Sequence, residues 1–174
     1  DDAICIQPRK GGWTLWVHIA DVSHYVRPGS PLDVEARERG NSTYLVDRVI
    51  PMLPEALSNE LCSLKPDIDR LTKCVEFHLS TDGAVISTKF YPAVIRSKRR
   101  FSYQQALAVI EGGKPKDAIE AMLHDAHRVA QSIRRRRFKN GSLDLDFPEN
   151  KIRLDDRGRI LRIDRMENDV SHQL

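Results

Sequence analysis

Ile119, Met122, Leu123, Ala126, Val129, Ala130 and Ile133 recur at helical spacing. Such a run predicts one long amphipathic helix whose apolar stripe must be buried against another surface. Lys139-Asn140-Gly141 supplies its stop. The rest of the chain mixes strand and helix signals without strict strand–helix alternation, so the expected fold class is α+β, a mixed or antiparallel sheet flanked by helices.

The strand signals come first. Ala3–Gln7 is a short apolar run, Arg9-Lys10-Gly11-Gly12 is a turn, and Trp13–Ala20 reads as a second, largely buried strand. Together they predict a hairpin. Leu71–Leu79 and Ala84–Ile95 alternate in polarity around Thr81-Asp82-Gly83, a second hairpin. Tyr44–Ile50 is expected to be extended, and a short helix to cover Glu55–Leu64. Ser30-Pro31 opens a helix closed by Gly40, and Ser102 caps another that runs to Glu111 before Gly112-Gly113. Strands are expected around Leu143–Phe147, Lys151–Leu154 and Arg159–Ile163, and a last helix from Glu167.

The 174 residues are enough for one domain with a real core, and 40% hydrophobic with 30% charged residues is a globular composition. No apolar run approaches a membrane span. The net charge of +3 suits a nucleic-acid partner without requiring one. Cys5, Cys62 and Cys74 are odd in number and widely spaced, with no CxxC pair. They read as reduced, mostly buried thiols of an intracellular protein rather than a zinc site. Neither a P-loop nor a GxGxxG is present.

Several groups could carry chemistry, each with a plainer alternative. Asp1-Asp2 at the start of a strand could turn two carboxylates toward a magnesium cluster, or be a solvated pair. Arg134–Arg137 could contact phosphates or complement a helix end. Ser97–Tyr103 interleaves basic and aromatic residues, as a single-strand binder does, or joins a strand to a helix with Phe101 in the core. His18, Trp13 and Trp16 sit in an apolar strand and read as core or near-surface residues.

Taken in order, these segments resemble the RNB catalytic domain of the RNase II and RNase R exoribonucleases, with details that lean to the bacterial RNase R branch. Asp1-Asp2-Ala3 is similar to the end of that family's DxxxxxDxDDA cluster. WVHIADVSHYV (16–26) resembles its VxIADVxxYV segment, and residues 33–45 its LDxEAxxRxxSxY stretch. IPMLPEALSNELCSLKPDIDRL (50–71) resembles the PMLPxxLSxxLCSLxPxxDR signature, and Ser102-Tyr103 a later TY or SY pair.

The resemblance implies a processive 3′-to-5′ exoribonuclease acting on single-stranded RNA. It implies Mg²⁺ (or Mn²⁺) held by Asp1, Asp2 and two aspartates upstream. Asp2 would be a metal ligand and Asp1 essential near the second metal. Tyr44 matches a tyrosine that stacks on bases at the RNA 3′ end, and Tyr103 one that favours RNA over DNA. Leu145 falls where the family carries a phenylalanine facing the stacking tyrosine, with Phe147 close by. Residues 1–174 are expected to be the N-terminal half of one RNB domain, cut at both ends and inactive alone. The parent is expected to be a cytoplasmic monomer with cold-shock and S1 domains. A catalytically inactive RNB-like module that binds RNA is the alternative.

Overall fold

The computed structural model describes residues 2–143 and 149–166. In chain order it has β1 (Asp2–Arg9), β2 (Gly12–Ala20), α1 (Val22–Tyr25), α2 (Pro31–Arg39), β3 (Thr43–Tyr44), β4 (Val49–Ile50), β5 (Asp69–Ser80), β6 (Val85–Arg96), α3 (Tyr103–Glu111), α4 (Ala118–Lys139), β7 (Glu149–Leu154) and β8 (Ile160–Met166). The described residues group into two compact units, 2–20 with 64–143 and 21–63 with 149–166.

The first unit is a four-stranded antiparallel sheet in the order β1-β2-β5-β6. Both expected hairpins form. Lys10-Gly11 links β1 to β2, and the Thr81-Asp82-Gly83 turn leads into β6. Gly83 has φ +81°, and a Cβ there would stand 2.9 Å from the Ile133 nitrogen, so this turn packs on the α4 backbone with no room for a side chain.

Alternation places Ile4, Ile6, Trp13, Leu15, Phe77 and Leu79 on one face of the sheet. These residues pack with Met122, Ala126, Val129 and Ile133 of α4 to form the core. The helical stripe read from the sequence is therefore the core-forming stripe, and Leu123 is buried with it. Burying each large aliphatic side chain stabilises the fold by about 1.5–3 kcal/mol. Asp117 caps α4 by accepting from the N–H groups of Ile119 and Glu120, both at 2.9 Å. Ser102 and Gln105 form a reciprocal capping box on α3.

The opposite face of the sheet carries a polar network. Glu76 accepts from Trp16 Nε1 at 3.1 Å and from Tyr91 Oη at 2.9 Å. Its other oxygen lies 3.1 Å from His78 Nε2, whose Nδ1 is 3.0 Å from Ser87 Oγ. Strand β6 is one edge of the sheet, and Phe90 on it is 77% exposed.

In the second unit, Ser30 caps α2 from the Asp33 N–H, Pro31 is its first residue and Gly40 ends it. Tyr44–Ile50 departs from the expected single extended run. It folds into the two-residue strands β3 and β4, closed by Leu45 N–H on the Arg48 carbonyl at 2.8 Å. Asp47, a turn former, sits inside that loop. The expected helix after Glu55 is one wide turn over Ala56–Leu61, in which Cys62 N–H reaches back five residues to Leu57 at 2.8 Å. β7 and β8 pair antiparallel around Asp156-Arg157-Gly158. The expected strand at Leu143–Phe147 and the helix from Glu167 lie wholly or mainly outside the described residues.

Candidate active site

Asp2 opens β1 opposite Ile19, and its side chain is exposed at the end of the sheet. It lies in line with Ile4 and Ile6, whose packing fixes the strand from which the carboxylate projects. Asp1 lies outside the described residues. Among the described residues, no three His, Cys, Asp or Glu side chains gather as metal ligands. The carboxylate of Asp2 is the right donor for a hard divalent cation. One carboxylate alone does not make a metal centre.

Tyr44 is 77% exposed at the end of β3. Leu45, Val46, Val49 and Ile50 around it are exposed too, beside the exposed Asp47–Arg48 ion pair of the turn. Tyr103 is the first residue of α3 and is 60% exposed, which separates it from the core. Asp2 and Tyr103 belong to the first unit and Tyr44 to the second. Leu145, like Phe147, lies outside the described residues.

The basic segments divide between structure and surface. Arg99 pairs with Asp117 at 2.7 Å and lies 5.6 Å from the half-buried Phe101 ring, so it ties the β6–α3 joint to the start of α4. Lys98 and Arg100 are exposed. Arg136 pairs with Asp82 at 3.0 Å, and Arg134 lies over Phe138 at 5.0 Å. His18 is half-buried, with Nδ1 3.4 Å from Thr72 Oγ1, and burial pushes its pKa down. Its surroundings are those of a neutral structural histidine. Cys62 and Cys74 are buried and Cys5 half-buried, none of them in a disulfide.

Two features escaped the sequence reading. One is Glu76, whose bonds from Tyr91 and Trp16, with Lys89 and His78 nearby, hold its carboxyl below the usual range. The alternation of Leu71–Leu79 puts Glu76 on the polar face with Thr72 and His78, but nothing in the sequence names its partners. The other is Arg128, which lies 5.5 Å over the Trp13 ring from a position on α4 far along the chain.

The colinear motifs and this sheet–helix architecture define one class: the chain belongs to the RNB domain family, whose model matches residues 1–174. Within that family it falls on the bacterial ribonuclease R branch. It is 41% identical over 179 residues to Ribonuclease R of Escherichia coli (strain K12), covering 100% of this chain and 22% of that protein. The structure of Mycoplasma genitalium RNase R in complex with ribose methylated single-stranded RNA matches with a TM-score of 0.92 and 35% identity, over 99% of this chain and 27% of that one. Yeast Ssd1, a pseudonuclease, shares the fold alone, with a TM-score of 0.70 and 24% identity over 80% of this chain and 17% of that one. The chain therefore spans about a quarter of the length of the ribonuclease R relatives it matches.

Proposed function

We propose that the protein hydrolyses single-stranded RNA processively from the 3′ end and releases nucleoside 5′-monophosphates. The observation that carries this reading is the unbroken match of residues 1–174 to the RNB domain, joined to full-chain identity with bacterial Ribonuclease R. The Mycoplasma genitalium relative has also been solved with double-stranded RNA, consistent with an RNA substrate.

Mg²⁺, or Mn²⁺ in its place, would be held by Asp1 and Asp2 with further carboxylates, and would activate water and stabilise the leaving oxygen. Asp2 projects its carboxylate from a strand end fixed by the core. Tyr44 offers an exposed ring on which a base near the 3′ end stacks. Tyr103, exposed on the first turn of α3, would help the site distinguish the 2′-hydroxyl of RNA. Cytoplasmic location, a monomeric state, and cold-shock and S1 domains in the parent chain belong to the same reading.

The test uses the full-length protein and a single-stranded oligoribonucleotide labelled at its 5′ end. With Mg²⁺ the label should pass from the full-length strand to a short end product with little build-up of intermediates while nucleoside 5′-monophosphates accumulate, and a chelator should stop both. Binding without cleavage at any Mg²⁺ or Mn²⁺ concentration would favour the alternative, an inactive RNB-like RNA-binding module. That alternative has a fold precedent in Ssd1. The Asp1-Asp2 pair favours hydrolysis.

A further inference from the structure

One side of α4 carries Arg128, Gln131, Ser132 and Arg135, spaced as a single stripe along the helix. With Trp13 and Thr81 these residues line an open groove of about 430 Å³, and no acidic side chain lines it. Arg128 is held in place by an ion pair with Asp125 and by its position 5.5 Å over the Trp13 ring. Arg135 donates to Ser132 Oγ at 3.1 Å and has no carboxylate partner among the described residues. A rise of 1.5 Å per residue sets the two arginines roughly 10 Å apart along the helix. Two separated guanidiniums with amide and hydroxyl groups are the donors that a sugar–phosphate backbone takes.

The groove lies away from the catalytic end of the sheet. Asp2 pairs with Ile19 at one end of the β1–β2 hairpin, and Trp13 pairs with Pro8 six positions further along β1. At about 3.4 Å per residue that is roughly 20 Å. We infer that this groove is a phosphodiester-binding subsite, which holds the RNA strand outside the catalytic centre through Arg128 and Arg135 without reading its sequence. The inference rests on the RNA-degrading function proposed above.

The experiment compares the full-length protein with Arg135→Gln and with the Arg128→Gln/Arg135→Gln double variant. Affinity for long and short single-stranded oligoribonucleotides is measured across a salt series with a chelator present, so that cleavage plays no part. Each phosphate contact on a single strand contributes about 0.7 to the slope of log affinity against log salt. The slope for the long oligomer should fall by about 0.7 in the single variant and about 1.4 in the double variant. Arg135→Lys should largely restore it, and cleavage of a short oligomer confined to the catalytic end should be unchanged. An unchanged slope in a folded Arg135→Gln variant overturns the inference. So does a variant that keeps the slope but loses inhibition by inorganic phosphate, which would make the groove a site for free phosphate. A wild-type protein that binds RNA but never cleaves it would defeat the proposed function and leave this comparison standing.

Discussion

Gly12 of β2 approaches Leu79 of β5 so closely that a Cβ at position 12 would lie 1.9 Å from the Leu79 carbonyl oxygen. Leu79 is 2% exposed in the centre of the core, so its backbone cannot retreat without disturbing the packing against α4. Gly12→Ala should therefore destabilise the protein by about 1–3 kcal/mol through overpacking. Thermal or denaturant unfolding checks this, with Gly113→Ala as the control. That glycine also has a left-handed φ, but nothing lies within 4 Å of an added Cβ.

Asp2 is exposed and makes no core contact, so Asp2→Asn should leave folding intact. In the full-length protein it should lower cleavage by orders of magnitude, leave RNA affinity nearly unchanged and raise the Mg²⁺ requirement, the pattern of an interaction made mainly in the transition state. Asp1→Asn should also lower cleavage while sparing affinity. Near-normal turnover of either variant at saturating Mg²⁺ would remove that residue from the site.

Tyr103 begins α3, yet the helix is capped by Ser102 and Gln105, and the tyrosine ring is mostly outside the core. Tyr103→Ala should cost little stability and narrow the preference for RNA over DNA oligomers, because the 2′-hydroxyl is what separates the two. A fall in melting temperature with a fixed RNA-to-DNA ratio would assign the ring to packing instead.

Tyr44 should carry most of the grip on the 3′-terminal nucleotides, since Leu145 offers a weaker surface than a phenylalanine. Stacking on an aromatic ring contributes roughly 1–3 kcal/mol per base. Tyr44→Ala should release RNA early and leave longer end products, resolved on a sequencing gel. Leu145→Phe should shorten them. If it has no effect and Phe147→Ala lengthens the products, Phe147 is the ring that works with Tyr44.

The Glu76 carboxyl is held below its ordinary range, first by the Tyr91 hydroxyl and then by Trp16, Lys89 and His78. A carboxylate with a depressed folded-state pKa stabilises the fold above its ordinary pKa and loses that contribution as pH falls toward the folded value. Wild-type stability should thus decline in the acid range more steeply than that of Glu76→Gln, which has no charge to lose. Parallel acid limbs for the two proteins would refute this.

The elements written in local chemistry were legible in the sequence. Ser102 and Gln105, Ser30-Pro31, and the apolar run from Ile119 to Ile133 each fix a helix through neighbours in the chain. Residues 44–50 were not, because a two-residue strand carries too little alternation to reveal where the chain reverses. The wide turn at Ala56–Leu61 has the composition of a helix, and the bond from Cys62 to Leu57 alone distinguishes it. At the site, Asp2, Tyr44 and Tyr103 were reached through motif resemblance, and all three are exposed. The Glu76 network and the Arg128–Trp13 stack join residues distant in the chain, and no local pattern announces such pairs.

Strand β6 ends the four-stranded sheet with exposed Val85, Ile86, Phe90 and Val94 along it. An apolar border of this length is a template on which another chain could add a strand and begin aggregating. Pro92, which pairs with Lys73, has no N–H to offer an incoming strand, and the exposed Lys89 sets a charge beside Phe90. A proline and a charge midway along such a border are features that disfavour the addition of a strand.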